Sequence, residues 1–372
     1  MNSLQLRAGI RNLLLAVVLL GQLGWSQTPA SEESQETFFK QNKPKQSLET
    51  LGTLQVGAYN LLNLFEKKGK IHDRGPESIL TIFPEGRRPM DEALKTLKDL
   101  KAQAKVILNN RYDVLTVVEV ENLKALSAFS DQFLDGEYDS YLIEGNDPRG
   151  IDVGFLVRSS LPFEVEQRTH RYETWTDPTQ GGKTGRLFSR DLPVLIFRTE
   201  KSSKPTMIYF GTHFKSKRDR PNDPESRILR QAQVERTSQI MKVYEKEFGN
   251  YVPLFLTGDF NGEIAHEKEF VSLNRVASLS DTFDVVNPPL TEKERITHSY
   301  FPKDGRPKWA QLDAVMVNES ATKFVSTAKV PHYHDENGNE IPVPQSYDEL
   351  HKTQPSDHYP VHVELDFQKL VH

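Results

Sequence analysis

The sequence predicts an α/β fold, and three observations carry that expectation. Short runs rich in Val, Ile, Leu, Phe and Tyr recur along the chain and read as strands. Amphipathic stretches between them read as helices. Several of the strand-like runs end in an acid, an amide or an imidazole, which is how a sheet protein aims functional groups at one rim.

The first 26 residues stand apart. MNSLQLRAGIRN carries Arg7 and Arg11 and no acid, and LLLAVVLLGQLGW follows, an apolar run of signal-peptide length that is short for a membrane span. Gly24 and Ser26 offer small residues for cleavage before Gln27. Residues 1–26 are therefore expected to be a secretory signal peptide, which places the mature protein in the periplasm or the medium with no stable membrane insertion. Residues 27–52 are polar and weakly patterned and read as a linker or disordered arm. From Thr53 onward strand and helix signals alternate with no second linker, so one domain over 53–367 is the simplest account, with 368–372 as a tail.

Composition narrows the chemistry. Among 372 residues, 37% are apolar and 20 are Phe, enough for a sizeable core. There are no cysteines, which removes disulfides, zinc–thiolate sites and thiol catalysis. The formal net charge of −5 excludes a protein that coats nucleic acid. Any attraction to a polyanion must be local, and Lys215, Lys217, Arg218 and Arg220 form the obvious patch.

Strands are expected near 54–61, 114–119, 138–144, 152–158, 163–169, 187–198, 206–212, 253–258, 296–301, 312–317, 323–329 and 361–366. Helices are expected at 91–110, opened by Pro89 and Asp91, at 122–134, and at 224–248 behind Pro224. Three irregular stretches, 66–90, 170–186 and 330–356, are long enough to frame a functional rim.

The polar groups at strand ends are Asn60 in VGAYNLLNLFE, Glu119 in DVLTVVEVEN, His213 in IYFGTHFKSK, Asp259 and Asn261 in LFLTGDFNGE, Asp313 in QLDAVMVN, and Asp357 with His358 in PSDHYPVHVEL. If they meet, carboxylates, amides and two imidazoles would hold a hard divalent cation, a phosphate and a water. GDFN is the sharpest local motif. Gly258 lets the chain turn closely past a ligand, and Asp259 and Asn261 project from the turn. Taken alone it is compatible with an ordinary β-turn, as SDH at 356–358 is with a capping turn; together they are specific.

In this order the motifs VGAYNLLNLFE, VEVEN, GTHFKSK, GDFN, QLDAVMV and SDHYPV resemble the endonuclease/exonuclease/phosphatase superfamily over residues 53–367, and GTHFKSK with EVEN is most similar to its bacterial secreted-nuclease branch. The resemblance implies a deoxyribonuclease I-like, four-layer sandwich of two packed mixed β-sheets flanked by helices. It implies that Asn60, Glu119 and Asp357 arrange the metal. It implies that His213 contacts phosphate, that Asp259 orients or deprotonates the attacking water with Asn261 beside it on phosphate, and that Asp313 orients His358. Glu121 is a rival to Glu119, but alternation places it further along, in the loop. Oxygen ligands suit Mg²⁺, with Mn²⁺ or Ca²⁺ as substitutes.

A second tier surrounds these. Arg149 and Asp152 are expected at the rim, and Lys215, Ser216 and Lys217 as contacts to a nucleic-acid backbone. Arg186, Arg190 and Asp191 read better as a cross-strand ion pair, and His332, His334 and Asp335 as a polar surface loop. Tyr300 and Trp309 are candidates for base stacking. The expected function is metal-dependent hydrolysis of nucleic acid, DNA first and RNA second. The rivals are a phosphoesterase acting on phospholipid head groups, inositol phosphates or nucleotides, and a non-catalytic phosphate-binding module. The last predicts loss of a site group, and none is missing.

Overall fold

The computed structural model describes residues 37–38, 45–66, 95–200, 202–302 and 306–368. The expected signal peptide, most of the arm, the stretch 67–94 with the expected opening of the first helix, and the tail beyond Gln368 lie outside these residues.

The main strands are β1 (Thr53–Leu64), β2 (Val114–Val120), β3 (Tyr138–Leu142), β4 (Asp152–Arg158), β5 (Glu164–Arg168), β6 (Val194–Arg198), β7 (Met207–His213), β8 (Leu254–Asp259), β9 (Leu279–Asp281), β10 (Asp313–Asn318), β11 (Val325–Lys329) and β12 (Val361–Asp366). The first sheet runs β3-β4-β2-β1-β12-β11, with the two-residue strand Thr37–Phe38 on the outer edge of β3. The second runs β9-β10-β8-β7-β6-β5. Each sheet has one parallel pair at its centre, β1 with β2 and β7 with β8, and its other pairings are antiparallel. A parallel pair needs a crossover. Helix α1 (Leu97–Asn110) lies on the first and α3 (Arg227–Phe248) on the second, while α2 (Leu123–Phe133) follows β2.

Period-two alternation builds the layers. Leu54, Val56, Val114, Phe155, Tyr209, Phe255, Val315 and Val363 face the space between the sheets. The rings of Tyr209 and Phe255 stack there at 4.4 Å. On the outer face of the first sheet, Tyr59, Leu115 and Val117 pack with Leu100, Ile107 and Phe129 of α1 and α2. On that of the second, Ile208, Phe210 and Leu256 pack with Val234, Ile240 and Met241 of α3. This is the four-layer sandwich of two mixed sheets that the sequence predicted. Each large apolar side chain buried in it contributes roughly 1.5–3 kcal/mol. Thr116 of β2 and Thr257 of β8 hydrogen-bond across the gap between the sheets, hydroxyl to hydroxyl.

Local chemistry sets the helix starts. Thr96 caps α1 through a box with Asp99, so α1 opens at Leu97. Asn122 caps α2 by accepting the Ala125 N–H at 2.8 Å. Pro224 lies in a 3₁₀ turn, and the buried Asp223 receives the N–H groups of Ile228 and Leu229 at 2.8 and 3.2 Å. Two other expectations change. The strand expected over 187–198 begins only at Val194, because Leu187 and Phe188 turn into the α3 core and Pro193 offers no N–H. The irregular stretch 170–186 contains a hairpin, Thr174–Asp177 against Lys183–Arg186, turned by Gly181 and Gly182 at φ 66° and 79°.

Candidate active site

Both parallel pairs end at the same edge. In the second sheet β7 and β8 stay in register to their last residues, so His213 lies directly opposite Asp259. Gly258 makes this possible. Its φ is +140°, and a Cβ would sit 1.9 Å from the Thr212 carbonyl oxygen. In the first sheet the pair is bulged. β1 carries Leu62 and Asn63 at φ 50° and 61°, and β2 carries Glu119 at φ 61°. Without the bulge Glu119 would join Leu115 and Val117 on the outer face; with it, Val120 resumes the outer set and Glu119 turns toward the site. Simple alternation, the argument for choosing Glu119, is thus replaced by a bulge. Glu121 instead accepts the Glu66 N–H at 2.6 Å.

One oxygen is the hub. Asp259 Oδ2 accepts a hydrogen bond from Asn60 Nδ2 at 3.2 Å, and lies 3.5 Å from His213 Nε2 and 3.9 Å from His358 Nε2. Its other oxygen accepts the Asn261 N–H at 2.7 Å. Asn60 accepts the Leu62 N–H at 2.8 Å, which fixes the amide. Glu119 Oε1 lies 4.0 Å from His213 Nε2. The Asp313 carboxylate holds His358 Nδ1 at 2.7 Å, and the other Asp313 oxygen is buried without a partner. Asp313 is itself held by the Thr297 hydroxyl, which accepts its N–H at 3.0 Å. Asp357 Oδ1 lies 4.0 Å from His358 Nε2 and is also buried without a hydrogen-bond partner.

Burial and neighbouring charge split the two imidazoles. Burial, then Arg190 and His358, holds His213 well below the ordinary histidine range, so it is neutral. Burial works against the charge on His358 too, but Asp313, Asp259 and Asp357 outweigh it and hold that ring well above the ordinary range. Burial raises Asp259, with Asp313 and Glu119 adding to the rise and His358 opposing it. Glu119 is raised by burial and then by the charge of Asp357. Such oxygen donors, with the unpartnered Asp357 oxygen, fit a hard divalent cation. Asp259, Asp313 and His358 form one cluster of metal-ligating type, and His298, Asp357 and His358 another.

The structure therefore brings together Asn60, Glu119, His213, Asp259, Asp313, Asp357 and His358, with Asn261 adjacent. The amide of Asn261 is engaged by the Phe214 carbonyl, to which Nδ2 donates at 3.0 Å. Arg149 lies close enough to act on Glu119 and His213. Asp152 is buried at the start of β4, opposite Val120. Its carboxylate accepts the Gly145 N–H at 2.7 Å, and burial first, then Glu144 and Asp191, pushes it up to about 7. Lys215 donates to the Ser216 hydroxyl at 3.2 Å, and Lys217 pairs with Glu267. Trp309 gives its indole N–H to the Pro344 carbonyl at 3.1 Å, and Tyr300 is exposed. Asp335 receives the N–H groups of Asn337 and Asn339 within its own loop.

Other residues at the site were not singled out from sequence. His298 bridges to His358, its ring centroid 4.5 Å from that of His358 and its Nε2 3.8 Å from Asp357 Oδ2. Thr297 and the buried Lys95, which donates to the Pro355 carbonyl, support the same edge. Arg190 reaches the Phe214 carbonyl and Asp147 instead of forming a cross-strand pair. A polar Thr-His in the expected strand 296–301 was the one signal available.

Two mixed sheets with helices outside and this edge between them are the endonuclease/exonuclease/phosphatase fold. Solved structures agree. An endonuclease/exonuclease/phosphatase family protein from Bacteroides thetaiotaomicron is similar at 17% identity and a TM-score of 0.52, over 84% of this chain and 94% of that one. A mannosyl-6-phosphatase from the same organism is similar at 16% identity and a TM-score of 0.52, over 84% and 99%. The human Nocturnin catalytic domain is similar at 14% and a TM-score of 0.53, over 84% and 94%. No protein-family model and no curated protein matches the sequence.

Proposed function

We propose that this protein is a metal-dependent phosphodiesterase that hydrolyses nucleic acid, DNA in the first place, outside the cytoplasm. The convergence of Asn60, His213 and His358 on one buried oxygen of Asp259 carries the reading. It is an arrangement for one proton and one anion. The Asp259 carboxylate, raised by burial, is suited to align a water and accept its proton. Asp313 fixes the orientation of His358 so that Nε2–H faces the same space, where a charged imidazole stabilises negative charge growing on a phosphate. Neutral His213 can donate to a second phosphate oxygen. Glu119 and Asp357, with Asn60 beside them, would hold Mg²⁺, with Mn²⁺ or Ca²⁺ as substitutes. Such a cation neutralises non-bridging oxygen and relieves the departing oxyanion. Export rests on the sequence of residues 1–26; no helix among the described residues is long and apolar enough to cross a membrane.

The purified protein is expected to degrade plasmid or linear DNA with Mg²⁺ or Mn²⁺ and to stop with chelator. Asp259→Ala and His358→Ala should each lower kcat by about 10³-fold or more, with thermal unfolding nearly unchanged. Cleavage of bis-p-nitrophenyl phosphate without any cleavage of nucleic acid would move the protein to another phosphoesterase class. Full activity in both variants would end the site assignment.

A further inference from the structure

A third imidazole, His298, stands at the edge that carries His213 and His358. It opens the short strand His298–Tyr300, and the backbone around it is tied down. The Thr297 N–H donates to the Ala310 carbonyl at 3.0 Å. The Ser299 N–H donates to the Asp357 carbonyl at 3.0 Å, and the Tyr359 N–H to the Thr297 carbonyl at 2.7 Å. His298 and His358 are thereby paired across an antiparallel bridge. The segment opposite is fixed as well. Ser356 Oγ accepts the His358 N–H at 3.1 Å and donates to the Asn60 carbonyl at 2.9 Å. Segments laced together in this way hold their side chains at set starting points.

The side chains meet where the backbones do. His298 Nε2 lies 3.8 Å from Asp357 Oδ2, and Asp357 Oδ1 lies 4.0 Å from His358 Nε2. Both separations are too long for hydrogen bonds. They match the spacing of ligands around one ion, since two donors each about 2.1 Å from a cation stand about 3.0 to 4.2 Å apart. His298, Asp357 and His358 each offer a donor atom within 4.8 Å of the others. Asp357 Oδ1 is buried without a hydrogen-bond partner. The ring of His298 is 4.5 Å from that of His358 and nearly parallel to that of Tyr300, at 16° and 6.4 Å. His358 is committed to Asp313 through Nδ1, and on the proposed function its Nε2–H serves phosphate. The nitrogen beside Asp357 that is open to an ion is therefore that of His298.

We propose that His298 is a nitrogen ligand, paired with Asp357, to the divalent cation of the site, and that it makes the site favour Mn²⁺ over Mg²⁺. This rests on the metal-dependent reading above and deepens it. Mg²⁺ takes oxygen ligands and gives up its waters reluctantly, whereas imidazole suits first-row transition ions. A set of carboxylates and an amide is one that Mg²⁺ can satisfy. One imidazole in that set gives Mn²⁺ a donor that Mg²⁺ does not exploit.

The test is calorimetric titration of the purified protein with Mn²⁺ and, separately, with Mg²⁺, together with electron spin-echo spectroscopy of the Mn²⁺-loaded protein. The spectrum should carry the nitrogen coupling of a directly bound imidazole. His298→Phe keeps a ring beside His358 without a nitrogen, and His298→Ala removes the ring. Each should erase the coupling and lower Mn²⁺ affinity about ten-fold or more, with Mg²⁺ affinity held within about two-fold. Thermal unfolding of His298→Phe should stay in place. Mn²⁺ bound without nitrogen coupling, or a coupling that survives both substitutions, overturns the assignment of His298 and leaves the proposed function standing. The expected coupling in a protein that cleaves no DNA would keep the ligand and remove the nuclease reading. A protein that binds no Mn²⁺ would lose both.

Discussion

The two parallel strand pairs do the same job by different means. β7 and β8 are regular to the end, and the crowding where Asp259 turns out is relieved by a glycine at φ +140°. β1 and β2 slip out of register instead, and the left-handed backbone falls on Leu62, Asn63 and Glu119 themselves. The regular pair sets an imidazole and a carboxylate side by side across a ladder rung. The bulged pair swings the Glu119 carboxylate out of its natural face toward the same point, beside Asn60, which keeps its in-register place ahead of the bulge. A rung fixes two groups relative to each other; a bulge re-aims one group relative to the sheet. On the proposed function the site uses both, combining a tightly set proton-transfer pair with donors that would close on a cation from the other sheet.

The largest effect should come from removing the glycine. Gly258→Ala places a Cβ 1.9 Å from the Thr212 carbonyl in a backbone conformation that alanine avoids. Denaturant unfolding should show a loss of about 3 kcal/mol or more. A loss below about 1 kcal/mol would mean that the second pair can also slip, and the contrast with the first would fail.

A smaller effect separates the sheets by pH. β12 flanks β1 as β6 flanks β7. On the outer face β6 presents Val194 and Ile196, whereas β12 presents His362, which donates Nε2–H to the Asn110 carbonyl at 3.2 Å. Burial, then Lys329, pushes this histidine down to about 4. Its unfolded counterpart takes up a proton near 6.5, so between pH 6.5 and 4 the unfolded state binds more protons. The stabilisation from neutral His362 is complete above 6.5 and is lost as pH falls toward 4, on the order of 2 kcal/mol near pH 5. His362→Gln should flatten that part of the stability curve. An unchanged slope would place the acid sensitivity elsewhere.

Much of this was readable from sequence, for a physical reason. A strand holds the side chains at its ends in determined places, so His213 and Asp259 at the ends of β7 and β8, Asp313 at the start of β10, His358 just ahead of β12 and Asn60 ahead of the β1 bulge could be named from polar residues bordering apolar runs. What depended on departures from regularity could not. Glu119 was chosen by alternation but is aimed by a bulge, which leaves no trace in a period-two pattern. His298 sits in a strand of only three residues, and its nearness to His358 is a contact between segments sixty residues apart. Arg190 looked like a cross-strand partner, since nothing in the local sequence shows that it reaches the carbonyl of Phe214. The tie between Tyr333, Tyr59 and the His358 carbonyl, at 2.6 Å for each contact, runs through a stretch that reads only as an irregular loop.

The division of labour between the pairs can be tested at the finest scale. On the proposed function the bulged pair serves the cation and the regular pair serves water and phosphate. Glu119→Gln keeps the shape of the side chain and removes its charge, so Mn²⁺ affinity by calorimetry should fall about ten-fold or more. His213→Gln, on the other strand pair, should leave that affinity within about two-fold and lower kcat by about 10²-fold. The two residues lie only 4.0 Å apart, so proximity alone would predict equal effects on the metal. A His213→Gln variant that loses as much Mn²⁺ affinity as Glu119→Gln would show that the imidazole belongs to the cation's shell, and that the two pairs share one task.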